Sequence, residues 1–344
     1  MAIDPRTPLI IGVGQFLNRV DQGAAPRAPH ELMLDAINVA EADAGTPGVA
    51  ARADVIAVVP TFSWRYFDPG RIIADAIGAN DAATWYANVG GNTPQMMINR
   101  LAAAIARGDA DVGVVTGGEA YRTRSDAKRT GVDLGWPKQD PETAATWFDD
   151  SPFIMSHPAE HARGIFMPTA AYPLFENALW HESGRTLDAH LAHIGRLWSE
   201  MSQVAAANPY AWRRDAYTAE EITTPTPTNR MVGFPYTKRM VSNPNVDMST
   251  AMVLCSADRA AALGVPRDRW VFVRSGTDAT DRSMSERASF TASPAIRIAG
   301  TRALELADVR TDEVEHVDVY SCFPSAVQLA VKELELDDTQ PLTV

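Results

Sequence analysis

The chain has 344 residues, 46% of them hydrophobic, enough to bury a large core and to fill two or three domains. Its 31 basic and 43 acidic residues leave a formal charge of −12, which argues against the broad basic face that nucleic-acid binding needs. With two cysteines, Cys255 and Cys322, and no CxxC spacing, a disulfide scaffold and a cysteine zinc site are both disfavoured, and a reducing compartment is the expectation. The start, MAIDPRTP, carries no signal-peptide pattern, and no apolar run approaches the ~20 residues needed to span a membrane. The expectation is a soluble, cytoplasmic protein.

Strand and helix signals alternate from the start. Pro8 to Gln15 (PLIIGVGQ) reads as a buried strand ending in a glycine turn. The Gly12-Val13-Gly14 within it is a lone GxG, too weak to suggest dinucleotide binding. Leu32, Met33, Ala36, Ile37 and Ala40 recur at helical spacing between His30 and Ala44. Asp54 to Val59 is a second strand. Asp68-Pro69-Gly70 opens a short helix that Gly78 stops. Trp85, Tyr86 and Val89 suit a third strand, and Gly90-Gly91-Asn92 is a turn. Thr93 before Pro94 predicts an N-cap for a helix that ends at Gly108. Val112 to Thr116 closes the series and stops at Gly117-Gly118-Glu119. Such alternation predicts a layered α/β domain with a mainly parallel sheet.

The pattern breaks from about Ser125 to Asn245, which is polar and rich in proline and tryptophan. Helices are expected at Ala170–Ser183 and at Leu187–Asn208, the latter capped by Thr186. The stretch is too long for a loop and reads as an inserted cap domain. Alternation then resumes. Strands are expected at Ser249–Cys255, Trp270–Ser275 and Val314–Cys322, with helices at Ala257–Leu263, Pro294–Leu306 and Pro324–Leu336. The expected division is therefore 1–124, an inserted 125–244, and 245–344.

The run AAAIARGDADVGVVTGGEA, with the strand and turn before it, resembles the segment of thiolases that carries the nucleophilic cysteine. Laid on that turn, the cysteine position falls on Gly90, followed by Gly91 and Asn92. Tyr320-Ser321-Cys322-Phe323 resembles the His-Asp-Cys-Phe motif of sterol-carrier-protein-type thiolases, with Tyr320 and Ser321 in place of histidine and aspartate. Asn243 to Ala251 resembles the thiolase Asn-Asp-Gly-Ala-Ala segment, with Asp247 in the aspartate place. The resemblance covers both halves and the cap. It implies a duplicated α-β-α-β-α layered fold with an inserted cap (loop) domain, its second half incomplete by about two strands. It also implies an acetyl-CoA acetyltransferase-like acyltransferase of lipid metabolism, acting on acyl-CoA thioesters. Coenzyme A thioester would be the substrate, with no covalently bound cofactor, in a homodimer. Because Gly90 offers no thiol, two other readings stand beside it. One is a thiolase-like aldolase that cleaves β-hydroxyacyl-CoA and works with a small OB-fold partner. The other is a non-catalytic acyl-CoA or lipid binder.

Tyr320 and Cys322 are the candidate catalytic residues, because they sit after an expected strand and before a proline-started helix, where α/β folds bind ligands. A phenol there can serve as acid, base or oxyanion donor. Cys322 reads equally well as a buried small hydrophobe. Arg213, Arg214, Arg230, Lys238 and Arg239 form a basic group in an acidic chain, suited to the phosphates of coenzyme A; solvated surface cations are the alternative. His157-Pro-Ala-Glu-His161 misplaces the glutamate of HExxH and carries a helix-breaking proline, so no metal site is expected.

Overall fold

The computed structural model describes residues 3–148 and 156–344. In chain order the strands are β1 (Pro8–Leu17), β2 (Val55–Val58), β3 (Ala83–Tyr86), β4 (Val112–Ala120), β5 (Trp147–Phe148), β6 (Met231–Gly233), β7 (Tyr236–Thr237), β8 (Asp247–Ser256) and β9 (Val271–Phe272). The α-helices are α1 (Pro29–Asp43), α2 (Pro69–Ile77), α3 (Thr93–Arg107), α4 (Tyr121–Thr130), α5 (Pro158–His161), α6 (Pro168–Ser183), α7 (Leu187–Ala207), α8 (Ala219–Thr223), α9 (Ala257–Ala262), α10 (Pro294–Ala307) and α11 (Pro324–Leu334). Two compact units result: Met1–Phe153 with Pro244–Gly276, and Ile154–Asn243 with Thr277–Val344. Among the described residues, no helix is long and apolar enough to cross a membrane.

The first unit is a seven-stranded sheet in the order β5-β3-β2-β4-β8-β1-β9. Strands β5, β3, β2 and β4 pair in parallel, while β4, β8, β1 and β9 pair antiparallel. Residues 245–276, expected with the C-terminal half, fold into this unit because β8 is the strand that joins β4 to β1. One face of the sheet (Ile11, Val58, Val114, Val253) packs on α1 and α2 through Met33, Ile37 and Ile73. On the other face Val55, Val115 and Leu254 meet Met97, Leu101 and Ile105 of α3. The GxG of β1 has a packing explanation. A Cβ at Gly12 would lie 2.2 Å from the Ala40 carbonyl oxygen, and one at Gly14 would lie 2.1 Å from that of Ala36. Glycine lets the backbone of α1 settle directly on β1.

Local signals set the helix ends. Asp68 caps α2 by accepting from Arg71 N, and Gly78 leaves it with φ 84°. At α3 the expected cap shifts by one residue. Asn92 is the N-cap, and Thr93 is the first helical residue, its hydroxyl donating 2.8 Å back to the Asn88 carbonyl. That bond uses the oxygen that a capping threonine would turn toward the helix.

The second unit gathers α6, α7, α8, α11 and the β6–β7 hairpin around Ile194, Leu197, Trp198, Tyr236, Phe323 and Val327. Thr186 caps α7 as expected. The expected strand at Val314–Cys322 is not formed, and the one at Trp270–Ser275 shrinks to Val271–Phe272. A ladder needs a neighbouring backbone edge. The 314–322 stretch instead makes single bonds, from Val319 N to Leu342 O and from Ser242 N to Cys322 O, both 3.1 Å. Its alternation survives all the same: Val317 and Val319 turn into the core, whereas His316, Asp318 and Tyr320 stay exposed. His157 and Glu160 form a reciprocal capping box on α5, which accounts for their spacing.

Candidate functional site

In the first unit, the loops that leave the carboxyl ends of parallel strands β2, β3 and β4 converge. Glu119, at the end of β4, accepts from Phe62 N at 2.6 Å and from Ser63 N at 2.8 Å, and Ser63 Oγ accepts from Ala120 N at 2.9 Å. Tyr86, at the end of β3, is held protonated: burial raises its pKa, and the nearby Glu119 charge adds to the effect. Gly90 lies in the loop after β3 and accepts from Thr93 N at 3.1 Å, so the 90–93 turn is closed on itself. Gly91 and Asn92 are exposed at its tip. A Cβ at position 90 would lie 2.8 Å from Asn92 Oδ1 and 3.0 Å from Thr93 Oγ1, so a side chain there would emerge against the polar start of α3. Glycine leaves the position with no reactive group. Asp247, fully buried, accepts from both the amide and the hydroxyl of Thr123, fixing the first turn of α4 to β8.

The second unit contains Tyr320 and Cys322. The Cys322 thiol lies beside the hydroxyls of Tyr172 on α6 and of Tyr320, close enough for both to act on its titration. Burial raises the thiol pKa; the two tyrosine hydroxyls pull against it without reversing the direction. Both phenols are also raised, first by burial and then by the neighbouring sulfur. At neutral pH the trio is therefore uncharged, a set of proton donors rather than a thiolate. The Tyr172 ring stacks on Phe323 at 4.3 Å with 10° between the planes, which sets its hydroxyl beside the sulfur. Tyr320 is 57% exposed as a whole residue, although its phenol end is crowded enough on the sulfur side for burial to raise its pKa. Tyr172 escaped the sequence reading because it sits in the apolar period of α6, and no spacing rule links it to a cysteine 150 residues away. Cys255, by contrast, is fully buried in the sheet and its pKa is pushed up to about 12.

The basic group is only partly assembled. Lys238 N donates to Arg230 O at 2.9 Å, so Arg230, Lys238 and Arg239 are neighbours around the β6–β7 hairpin. Arg239 donates to the Glu221 carbonyl at 2.8 Å, and its guanidinium lies 4.2 Å over the Tyr217 ring. Arg213 and Arg214 are exposed on the segment after α7, with Arg214 bonded to the Ala206 carbonyl at 3.3 Å.

No family model matches the chain. Among solved structures, a monomeric SCP2-thiolase-like protein type 1 from Mycobacterium smegmatis superposes with a TM-score of 0.81 and 29% identity, covering 99% of this chain and 66% of that one. An Ltp2-ChsH2(DUF35) aldolase superposes at 0.73 with 19% identity over 96% of this chain and 78% of that one. An acetyl-CoA acetyltransferase from Syntrophomonas wolfei does so at 0.62 with 15% identity over 98% and 85%. In sequence, 165 residues, 47% of the chain, are 23% identical to an acetyl-CoA acetyltransferase of Methanocaldococcus jannaschii, covering 39% of that protein. The fold is thiolase-like, and these likenesses support assignment to the thiolase superfamily. The chain spans about two thirds of the mycobacterial relative, and its match spans well under half of the curated one.

Proposed function

We propose that the chain binds acyl-CoA thioesters and acts on the carbon–carbon bond next to the thioester without forming an acyl-enzyme. The observation that carries this reading is the glycine at position 90, taken with the Cys322 thiol set beside Tyr172 and Tyr320, whose pKa burial raises. A transferase that passes through an enzyme thioester needs a thiolate, and Cys322 is held in its protonated form. Cleavage of a β-hydroxyacyl thioester needs none. The β-hydroxyl gives its proton to a water molecule acting as base, the Cα–Cβ bond breaks with its electron pair moving toward the thioester, and a donor protonates Cα and is reprotonated from solvent. The products are a ketone or aldehyde and a shortened acyl-CoA. A phenol, neutral at pH 7, is suited to donate to the developing enolate. Arg213, Arg214, Arg230, Lys238 and Arg239 are the proposed contacts for the coenzyme A phosphates. A small OB-fold partner belongs with this reading, since one structural relative is described as an Ltp2-ChsH2(DUF35) aldolase. A homodimer remains a proposal, to be decided by light scattering, because another relative is described as monomeric.

The second reading is acyl transfer, favoured by the acetyl-CoA acetyltransferase names of two relatives. One assay separates the two. The chain is incubated with a β-hydroxyacyl-CoA, and separately with acetoacetyl-CoA plus coenzyme A. Carbonyl release in the first and no thiolysis in the second is expected. Thiolysis with a protein adduct visible by mass spectrometry would replace the proposal with acyl transfer. Binding without either reaction would leave a carrier of acyl-CoA.

A further inference from the structure

Glu176 plays no part in the chemistry above, yet it is fully buried in α6 and heavily bonded. Its carboxylate faces His190 Nε2 at 2.6 Å, Tyr236 Oη at 2.7 Å and Gln328 Nε2 at 2.8 Å. A carboxylate can only accept, so all three groups donate to it. With its single proton committed to Glu176, Tyr236 Oη accepts from Ser325 Oγ, 2.9 Å away. Ser325 and Gln328 lie in the first turns of α11, directly after Cys322 and Phe323.

Tyr172 stands four residues before Glu176 on α6, one turn away on the same face. One helix face thus grips one segment at two levels. Tyr172 stacks on Phe323 and lies beside Cys322, and Glu176 holds Ser325, through Tyr236, and Gln328 directly. We propose that Glu176 is a positioning residue whose carboxylate fixes the start of α11 and so sets how Cys322 and Tyr320 are presented. This rests on the reading above only in taking Tyr320 and Cys322 as the site, and its test reads thiol chemistry rather than turnover.

The pH dependence of Cys322 alkylation by iodoacetamide, located by mass spectrometry in the full folded chain, reports how the thiol is held. The groups facing that thiol are the hydroxyls of Tyr172 and Tyr320. Cys255, with no exposed surface, serves as the internal control. Glu176→Gln keeps the volume but turns an amide donor toward one of three donors, and Tyr236→Phe deletes the link to Ser325. Both should shift the labelling midpoint toward an ordinary thiol and speed labelling at pH 8 by roughly threefold or more. The double variant should match Glu176→Gln alone, because Tyr236 acts through the same carboxylate. Val327→Ala, an apolar truncation in the same core, should leave the midpoint in place. A wild-type midpoint in both folded single variants, additive shifts, or an equal shift in Val327→Ala would overturn the proposal. Should the first two variants fail to fold, Ser325→Ala tests the far end of the path: the same shift supports the proposal, and an unchanged midpoint overturns it. Failure of the cleavage assay would not alter any of these outcomes.

Discussion

Tyr320 and Cys322 show how a single substitution pattern changes what a segment can do. The Tyr-Ser-Cys-Phe run was legible as a candidate site because it precedes a proline-started helix. What it could do chemically was not, since the thiol's state depends on burial and on Tyr172, contributed by α6. Replacing Tyr320 by phenylalanine removes one hydroxyl from a largely exposed ring. The melting temperature should stay nearly unchanged while the proposed acyl-CoA turnover falls by ~10²-fold or more, the scale of a lost proton donor; full turnover would reduce Tyr320 to packing. Asp247 offers a pH test. Burial raises its pKa, against the hydrogen bonds from Thr123, so the folded chain holds the proton more tightly than the unfolded one. Its contribution is complete below the unfolded value near 3.9 and declines as pH rises through the higher folded value. An asparagine cannot titrate, so the stability of the natural chain relative to Asp247→Asn should fall from about pH 4 toward higher pH. Thermal melts along that range check this, and a constant difference would contradict it.

At the scale of elements, short-range chemistry accounts for most boundaries. Asp68 illustrates the reason. It caps α2 through Arg71 N at 3.1 Å and also accepts from Thr84 Oγ1 at 2.8 Å while only 4% exposed. Asp68→Ala would leave two donors unpaired and cost about 2–3 kcal/mol, lowering Tm by roughly 4–8 °C. A shift under about 1 °C would show that the cap is replaced by water. The stretch at Val314–Cys322 shows where local chemistry stops. Its alternation of valine with polar residues is fulfilled in burial, but the pairing that makes a strand is a property of a neighbour, not of the segment.

For the whole molecule, each unit carries its own core, one built on a mixed sheet and the other on helices. If the second unit binds coenzyme A phosphates, the ligand should stabilise the chain by about 2.7 kcal/mol at a concentration 100 times its Kd. Arg230→Ala should weaken that binding roughly tenfold, as the loss of one charge-assisted contact would. Unchanged affinity by calorimetry in all five single variants at Arg213, Arg214, Arg230, Lys238 and Arg239 would remove these cations from the binding scheme. Arg239→Ala should also lower the stability of its own unit, because that guanidinium already holds the Glu221 carbonyl and covers Tyr217.

The sequence by itself determined the α/β character, the glycine at position 90, the boundaries of α1–α3, α6, α7 and α9–α11 to within about two residues, though not α4, α5 or α8, and the two tyrosine–cysteine candidates at 320 and 322. These follow from periodicity, caps and turn residues, which act over a few residues. Tertiary structure alone decided that β8 joins the first sheet, that 314–322 makes single backbone bonds instead of a ladder, and that Tyr172 and Glu176 pack and bond against the segment that follows Cys322. Each of those depends on groups far apart in sequence meeting in space, where pairing, burial and a thiol's protonation state are set by neighbours that no local pattern names.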